Sequence, residues 1–140
     1  MTGGFTLVEL VVIILALGII AGVAIPRFGN MHDSAKVAAT KAELQRLKSA
    51  IQGAPDTRGT PHGGFELDVG HPPNRLQDLI TAPGSLAVWN PFLELGWNGP
   101  YMDSSGSDYL RDAWDSTYQY ELNARTITSI GSGSNIVLSF

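Results

Sequence analysis

The chain has no cysteine. That excludes a disulfide framework, a zinc site with thiolate ligands and a thiol nucleophile. Charge is sparse as well: Asp, Glu, Lys and Arg make up 16% of the 140 residues, and none falls between Leu10 and Ile25. A pI near 5.2 argues against a broad basic footprint, so no nucleic-acid partner is expected. Catalytic patterns are missing too. There is no H-x-x-x-H, G-x-S-x-G or P-loop spacing, and His32, His62 and His71 are scattered. Gly63-Gly64 and Gly131-Ser132-Gly133 lack the strand-to-helix setting that a phosphate loop needs. Asp112 and Asp115 have the spacing of a carboxylate pair, but no other feature supports catalysis, and no enzyme is expected.

What is present is divided between two regions. The N-terminus is apolar, and seven of the eight prolines lie at or after Pro55. Charge follows the same division. Arg27, Lys36, Lys41, Arg46 and Lys48 against Asp33 and Glu43 give the 27–55 segment a net +3. From Asp56 onward, four arginines face ten acids, a net −6, and Glu9 completes the overall −4. A basic rod and an acidic head suit contacts between copies; two solvated faces are the plainer reading.

Phe5 to Ile25 is interrupted only by Thr6 and Glu9. At ~1.5 Å per residue it spans roughly 30 Å, the thickness of a bilayer core, so a retained membrane helix is expected. A cleaved secretory signal fits less well. It wants basic residues before the apolar run and small residues at a cleavage site after it. Glu9 is a carboxylate inside this run and therefore a functional candidate, or else an interfacial glutamate with its head in water. Gly18, Gly22 and Pro26 recur every four residues. They form a small-residue packing face or a segment that unwinds readily, since Gly costs ~1 kcal/mol and Pro ~3 kcal/mol in a helix interior relative to Ala.

Gly4-Phe5-Thr6-Leu7-Val8-Glu9-Leu10, followed by an apolar run ending in Ala24-Ile25-Pro26, closely resembles the class III signal of type IV pilins and pseudopilins. The resemblance implies that residues 1–4 are a leader. A prepilin peptidase would cut between Gly4 and Phe5 and methylate the new Phe5 amine. The family's glutamate falls on Glu9, which would pair with the Phe5 amine of its own or a neighbouring subunit and favour correct register. Leaders of this family usually carry Lys or Arg, and this one offers only the Met1 amine. The positive-inside rule alone would put the C-terminal part in the cytoplasm, and the cleavage motif takes precedence.

Helix-forming composition continues past Pro26. The expected organisation is a membrane and filament-core helix over 5–26, an amphipathic continuation of the rod over 27–54, and a globular head over 55–140. Val37, Thr40, Leu44, Leu47 and Ile51 form one stripe, and Phe28, Met31, Ala35, Ala38 and Ala42 a second. Two stripes pack a head on one side and a neighbour on the other; the alternative is one broad core-facing stripe. Gly53 and Pro55 stop the helix, which gives Phe5 to Gln52 a length of roughly 70 Å. Asp56 to Arg75 reads as a long loop and Leu76 to Ile80 as a short helical turn. Phe92 to Trp97 is an irregular aromatic-rich stretch. Tyr118–Leu122, Arg125–Ile130 and Asn135–Phe140 read as strands. The fold class is α+β: a long N-terminal helix, membrane-spanning in its first half, with a small antiparallel sheet in a pilin-like head. The tryptophans and tyrosines of the head are expected in its core and rim, with a sugar-stacking surface as the alternative.

The head carries a second resemblance. Trp97-Asn98-Gly99-Pro100-Tyr101-Met102 and Asp112-Ala113-Trp114-Asp115-Ser116-Thr117-Tyr118-Gln119-Tyr120 are similar to motifs of the major pseudopilin of type II secretion systems. Met102, Ala113 and Asp115 depart from the pattern, and the acidic Gly-rich C-terminal end is missing. In that branch calcium holds the C-terminal loop, so the resemblance implies Ca²⁺ near Asp103, Asp108, Asp112 and Asp115, with Asp112 on the motif aspartate. Calcium wants six to eight oxygens; the plain alternative is a solvated acidic loop.

The function implied is a structural filament subunit, anchored in the inner membrane with its head in the periplasm, then part of a periplasmic or extracellular filament. It would polymerise with itself and with minor pilins or pseudopilins. An assembly ATPase and an inner-membrane assembly platform would drive it, and type II protein secretion would be the output. Two alternatives stand: a type IV pilin or minor pilin for adhesion, motility or DNA uptake, and a membrane-anchored periplasmic binding protein that never polymerises.

Overall fold

The computed structural model describes residues 4–55, 61–103 and 107–140, with the side chains of 23–30, 61–62 and 107–108 outside that description. The chain divides into two compact units, 1–35 and 36–140. One helix, α1 (Leu7–Gln52), belongs to both.

In the first unit every described side chain is exposed, including Phe5 (78%), Leu7 and Ile19. Here the expected membrane span is corrected. Among the described residues no helix is long and apolar enough to cross a membrane. The membrane-spanning first half of the fold and the single-pass inner-membrane placement fall with it.

In the second unit the periodic stripe of α1 becomes the core. Thr40, Leu44, Leu47, Ala50 and Ile51 are buried, and Val37 is half-buried. The second stripe stays outside: Met31 and Ala35 in the first unit and Ala38 and Ala42 in the second are exposed, while the Phe28 side chain lies outside the described residues. Gly53 ends α1 because its φ of 86° breaks helical geometry, and its N–H still reaches the Ser49 carbonyl at 2.7 Å.

The expected loop after α1 holds more structure than its composition suggested. β1 (Ala54–Pro55) pairs antiparallel with β2 (Pro61–His62). A short helix, α2 (Phe65–Val69), follows and places Phe65 in the core. Gly64 allows this approach, since a Cβ there would sit 2.1 Å from the Gly53 nitrogen. A 3-10 turn at Leu76–Leu79 buries Leu76 and Leu79. Asp78 accepts from the Arg75 N–H at 3.1 Å at its start. β3 (Gln119–Glu121), β4 (Thr126–Ser129) and β5 (Ile136–Ser139) form an antiparallel sheet in sequence order. Ile127 pairs with Tyr120 on one side and Leu138 on the other. The α+β reading holds in this unit: a helix stripe covered by a three-stranded sheet.

Candidate functional site

At the N-terminus, Thr6 and Glu9 close on each other. The Thr6 N–H and hydroxyl both donate to Glu9 Oε2, at 3.1 and 3.0 Å, and the Glu9 N–H reaches back to Thr6 Oγ1 at 3.3 Å. This reciprocal arrangement satisfies two backbone donors that a helix start otherwise leaves orphaned. The Thr6 backbone and hydroxyl hold the Glu9 carboxyl below its ordinary range. The T-x-x-E spacing of a helix cap is present in the sequence, set within the apolar run. Gly4 and Phe5 precede this cap and are exposed. A Cβ at Gly18 or Gly22 would meet nothing within 4 Å. α1 runs through Pro26, whose side chain is outside the described residues.

In the head, the clustered acids take different paths. Asp112 is buried, and donors from its own turn and from the end of β4 surround it. Oδ1 accepts from the N–H groups of Trp114 (3.0 Å) and Ser116 (2.9 Å), and Oδ2 from the Ser129 hydroxyl (2.6 Å) and the Gly131 N–H (2.9 Å). Burial pushes its carboxyl up, but those four donors outweigh burial and hold it below the usual range. Gly131 must be glycine here, since a Cβ would sit 2.5 Å from Asp112 Oδ2. Asp115 lies in the same turn, with φ 65°, and pairs with Arg111 at 2.7 Å. Asp103 is exposed, and the Asp108 side chain lies outside the described residues.

As placed, Asp112 and Asp115 do not fit a calcium ion. Both oxygens of the best ligand are already saturated by neutral donors, and Asp115 faces a guanidinium. Among the described residues no group of three His, Asp or Glu side chains can hold a metal.

A second clasp has no local sequence signature. Arg125, at φ 52° in the turn between β3 and β4, makes a bidentate pair with Glu66 of α2 at 2.8 and 2.7 Å. Its Nε donates to the Phe140 carbonyl at 2.8 Å, and its guanidinium lies 5.2 Å from the Phe140 ring centroid. Phe140 stacks on Tyr120 at 5.6 Å, and the Tyr120 hydroxyl donates to the Pro73 carbonyl at 2.6 Å. One residue thus joins α2, the sheet and the chain's last residue. In sequence Arg125 stands beside Asn123-Ala124, which marks only a turn.

The Trp97–Tyr101 motif is a packing unit. Trp97 Nε1 donates to the Asp78 carbonyl at 3.0 Å. Tyr101 packs edge-on against both Phe65 and Trp97, and its hydroxyl donates to Asp68 at 2.9 Å. Burial pushes that hydroxyl up to about 12, so it remains a donor. Gly99 lets the two rings approach, because a Cβ would lie 2.6 Å from the Trp97 ring.

The family model described as Type II secretion system (T2SS), protein G, matches residues 27–135. The chain is 28% identical over 119 residues to the type II secretion system core protein G of Xanthomonas campestris pv. campestris, covering 85% of this chain and 68% of that protein. It is 35% identical over 48 residues to the core protein G of Pseudomonas aeruginosa, 34% of each chain. With the type IV narrow pilus major component PilA5 of Thermus thermophilus, it is 40% identical over 47 residues, 34% of this chain and 40% of that one. No solved structure matches.

Proposed function

Because this chain belongs to the type II secretion system protein G family, we propose that it is a pseudopilin, the structural subunit of a pilin-like filament that serves protein secretion. It is not an enzyme; the family is structural. Its partners are other pseudopilins and the secretion system's assembly machinery. The observation that carries the filament reading is the first unit, where α1 buries none of its described apolar side chains. A surface of that kind is stable in water only when other chains cover it. Copies of the same helix supply matching surfaces.

The finer steps belong to the same reading. A prepilin peptidase cuts between Gly4 and Phe5, both exposed and just outside the Thr6–Glu9 cap. The Phe5 amine is methylated and pairs with a Glu9 carboxylate as subunits add. Gly18, Gly22 and Pro26 then ease local unwinding inside the filament. Minor pseudopilins and an assembly platform initiate and drive growth. The test is co-expression with a complete type II secretion apparatus, electron microscopy of the product and intact-mass analysis of its N-terminus. Filaments whose subunits begin at Phe5 are expected. Subunits that retain Met1, or no filaments, refute the reading.

A further inference from the structure

The segment from Val88 to Leu95 carries an arrangement that neither the fold nor the processing steps use. Val88 is 88% exposed and Phe92 95%, with Leu93 and Leu95 more than half exposed. Single exposed apolar residues are ordinary, but several on one loop mark an interaction surface. The loop is also built to hold them there. The Asn90 N–H donates to the Leu95 carbonyl at 2.9 Å, and Asn90 Oδ1 accepts from the N–H groups of Phe92 and Leu93. The Trp97 N–H donates to Ala87 at 3.0 Å, and the Gly96 N–H ties the loop to Asp68 at 2.8 Å. Gly96 sits at φ 114°, and a Cβ there would lie 2.7 Å from the Val88 carbonyl oxygen. Apolar side chains on a loop fixed this tightly have little freedom to fold back onto their own domain.

We propose that this loop is a self-recognition element that docks on the outward face of α1 in a second copy of the chain. The inference rests on the filament reading above. The receiving face is Ala38, Lys41, Ala42 and Gln45, opposite the buried Thr40, Leu44 and Leu47, and all four are exposed. Ala38 and Ala42 lie one turn apart and leave a shallow seat for Phe92. Charge sets the register. Glu94 is the sole charge between Leu86 and Asn98, and Lys41 stands between the two alanines. A few loop side chains bury far less than the ~1,000 Å² that a stable binary interface needs. The contact therefore forms only where the polymer already holds copies side by side, which multiplies weak contacts.

The absence of native cysteine makes the test direct. Filaments are assembled from a mixture of Phe92→Cys and Ala42→Cys full-length chains and oxidised. A disulfide-linked heterodimer is expected, and it is absent when Gln119→Cys, an exposed position on β3, replaces Ala42→Cys. Val88→Cys is a second donor position, in case Phe92 itself is needed for docking. Glu94→Lys is expected to lower filament yield several-fold, and adding Lys41→Glu to restore it. Wild-type filaments with no cross-link above the Gln119→Cys control for either donor overturn the interface and leave the filament reading standing. Failure of the wild-type chain to polymerise at all overturns both.

Discussion

Asp112 has all four of its strong acceptor directions filled, two by its own turn and two by Ser129 and Gly131 at the end of β4, so removing it strands buried donors. Asp112→Ala leaves the Ser129 hydroxyl and three backbone N–H groups without that acceptor. A loss of about 3 kcal/mol is expected, which is ~10–20 °C in melting temperature for a domain of this size. Asp112→Asn keeps one carbonyl acceptor and should lose about half as much; thermal melts of the two variants check the order. The Glu66–Arg125 clasp predicts a pH dependence. The Arg125 guanidinium hydrogen-bonds the Glu66 carboxyl and holds it below the ordinary glutamate range, against the opposing effect of burial. A depressed folded-state pKa means that the unfolded chain takes up the proton first. The contribution is complete above the unfolded value of ~4.3 and is lost as pH falls through the folded one. Glu66→Gln should flatten that part of a melting-temperature profile below pH ~5 while lowering stability at pH 7. An unchanged acid slope would show that the clasp does not titrate with unfolding.

The start of α1 poses a different question, because two roles converge on Glu9. It completes the cap with Thr6, and it is the proposed partner of the Phe5 amine. The roles separate by substitution. Thr6→Ala removes the capping hydroxyl and leaves the carboxylate, so faster amide exchange in the first turn is expected with filament growth retained. Glu9→Ala removes both, and growth should be blocked or slowed. If Thr6→Ala stops growth equally, capping accounts for the whole effect. The three strands show what alternation alone decides. Tyr118–Leu122, Arg125–Ile130 and Asn135–Phe140 each contain the observed strand, and each is trimmed at its ends. The trimming has a cause at the start of two strands: before β3 the Tyr118 N–H donates instead to the Leu110 carbonyl, and before β4 Arg125 adopts a left-handed conformation.

For the whole chain, the turn around Asp112 is closed by hydrogen bonds to Trp114, Ser116, Ser129 and Gly131, with the Arg111–Asp115 ion pair beside them. Millimolar calcium or chelator should therefore leave the melting temperature of the full chain unchanged within about a degree. A calcium-dependent rise that disappears in Asp112→Ala would mean that the carboxylate exchanges its donors for the ion. Sequence by itself determined the helix stripe Thr40–Ile51, its stop at Gly53, three β-prone runs and the family motifs, because each is a local pattern of periodicity, turn chemistry or residue identity. The 65–69 helix was hidden, since five residues show no period and depend on Phe65 reaching the core. Tertiary structure alone decided which donors each buried acid meets. Asp112 meets Ser129 and Gly131 at the end of β4, and Glu66 meets Arg125 from fifty-nine positions away. Such partners leave no mark in spacing. A carboxylate's role depends on which donors the fold brings within 3 Å of it, and that is settled only when distant segments pack.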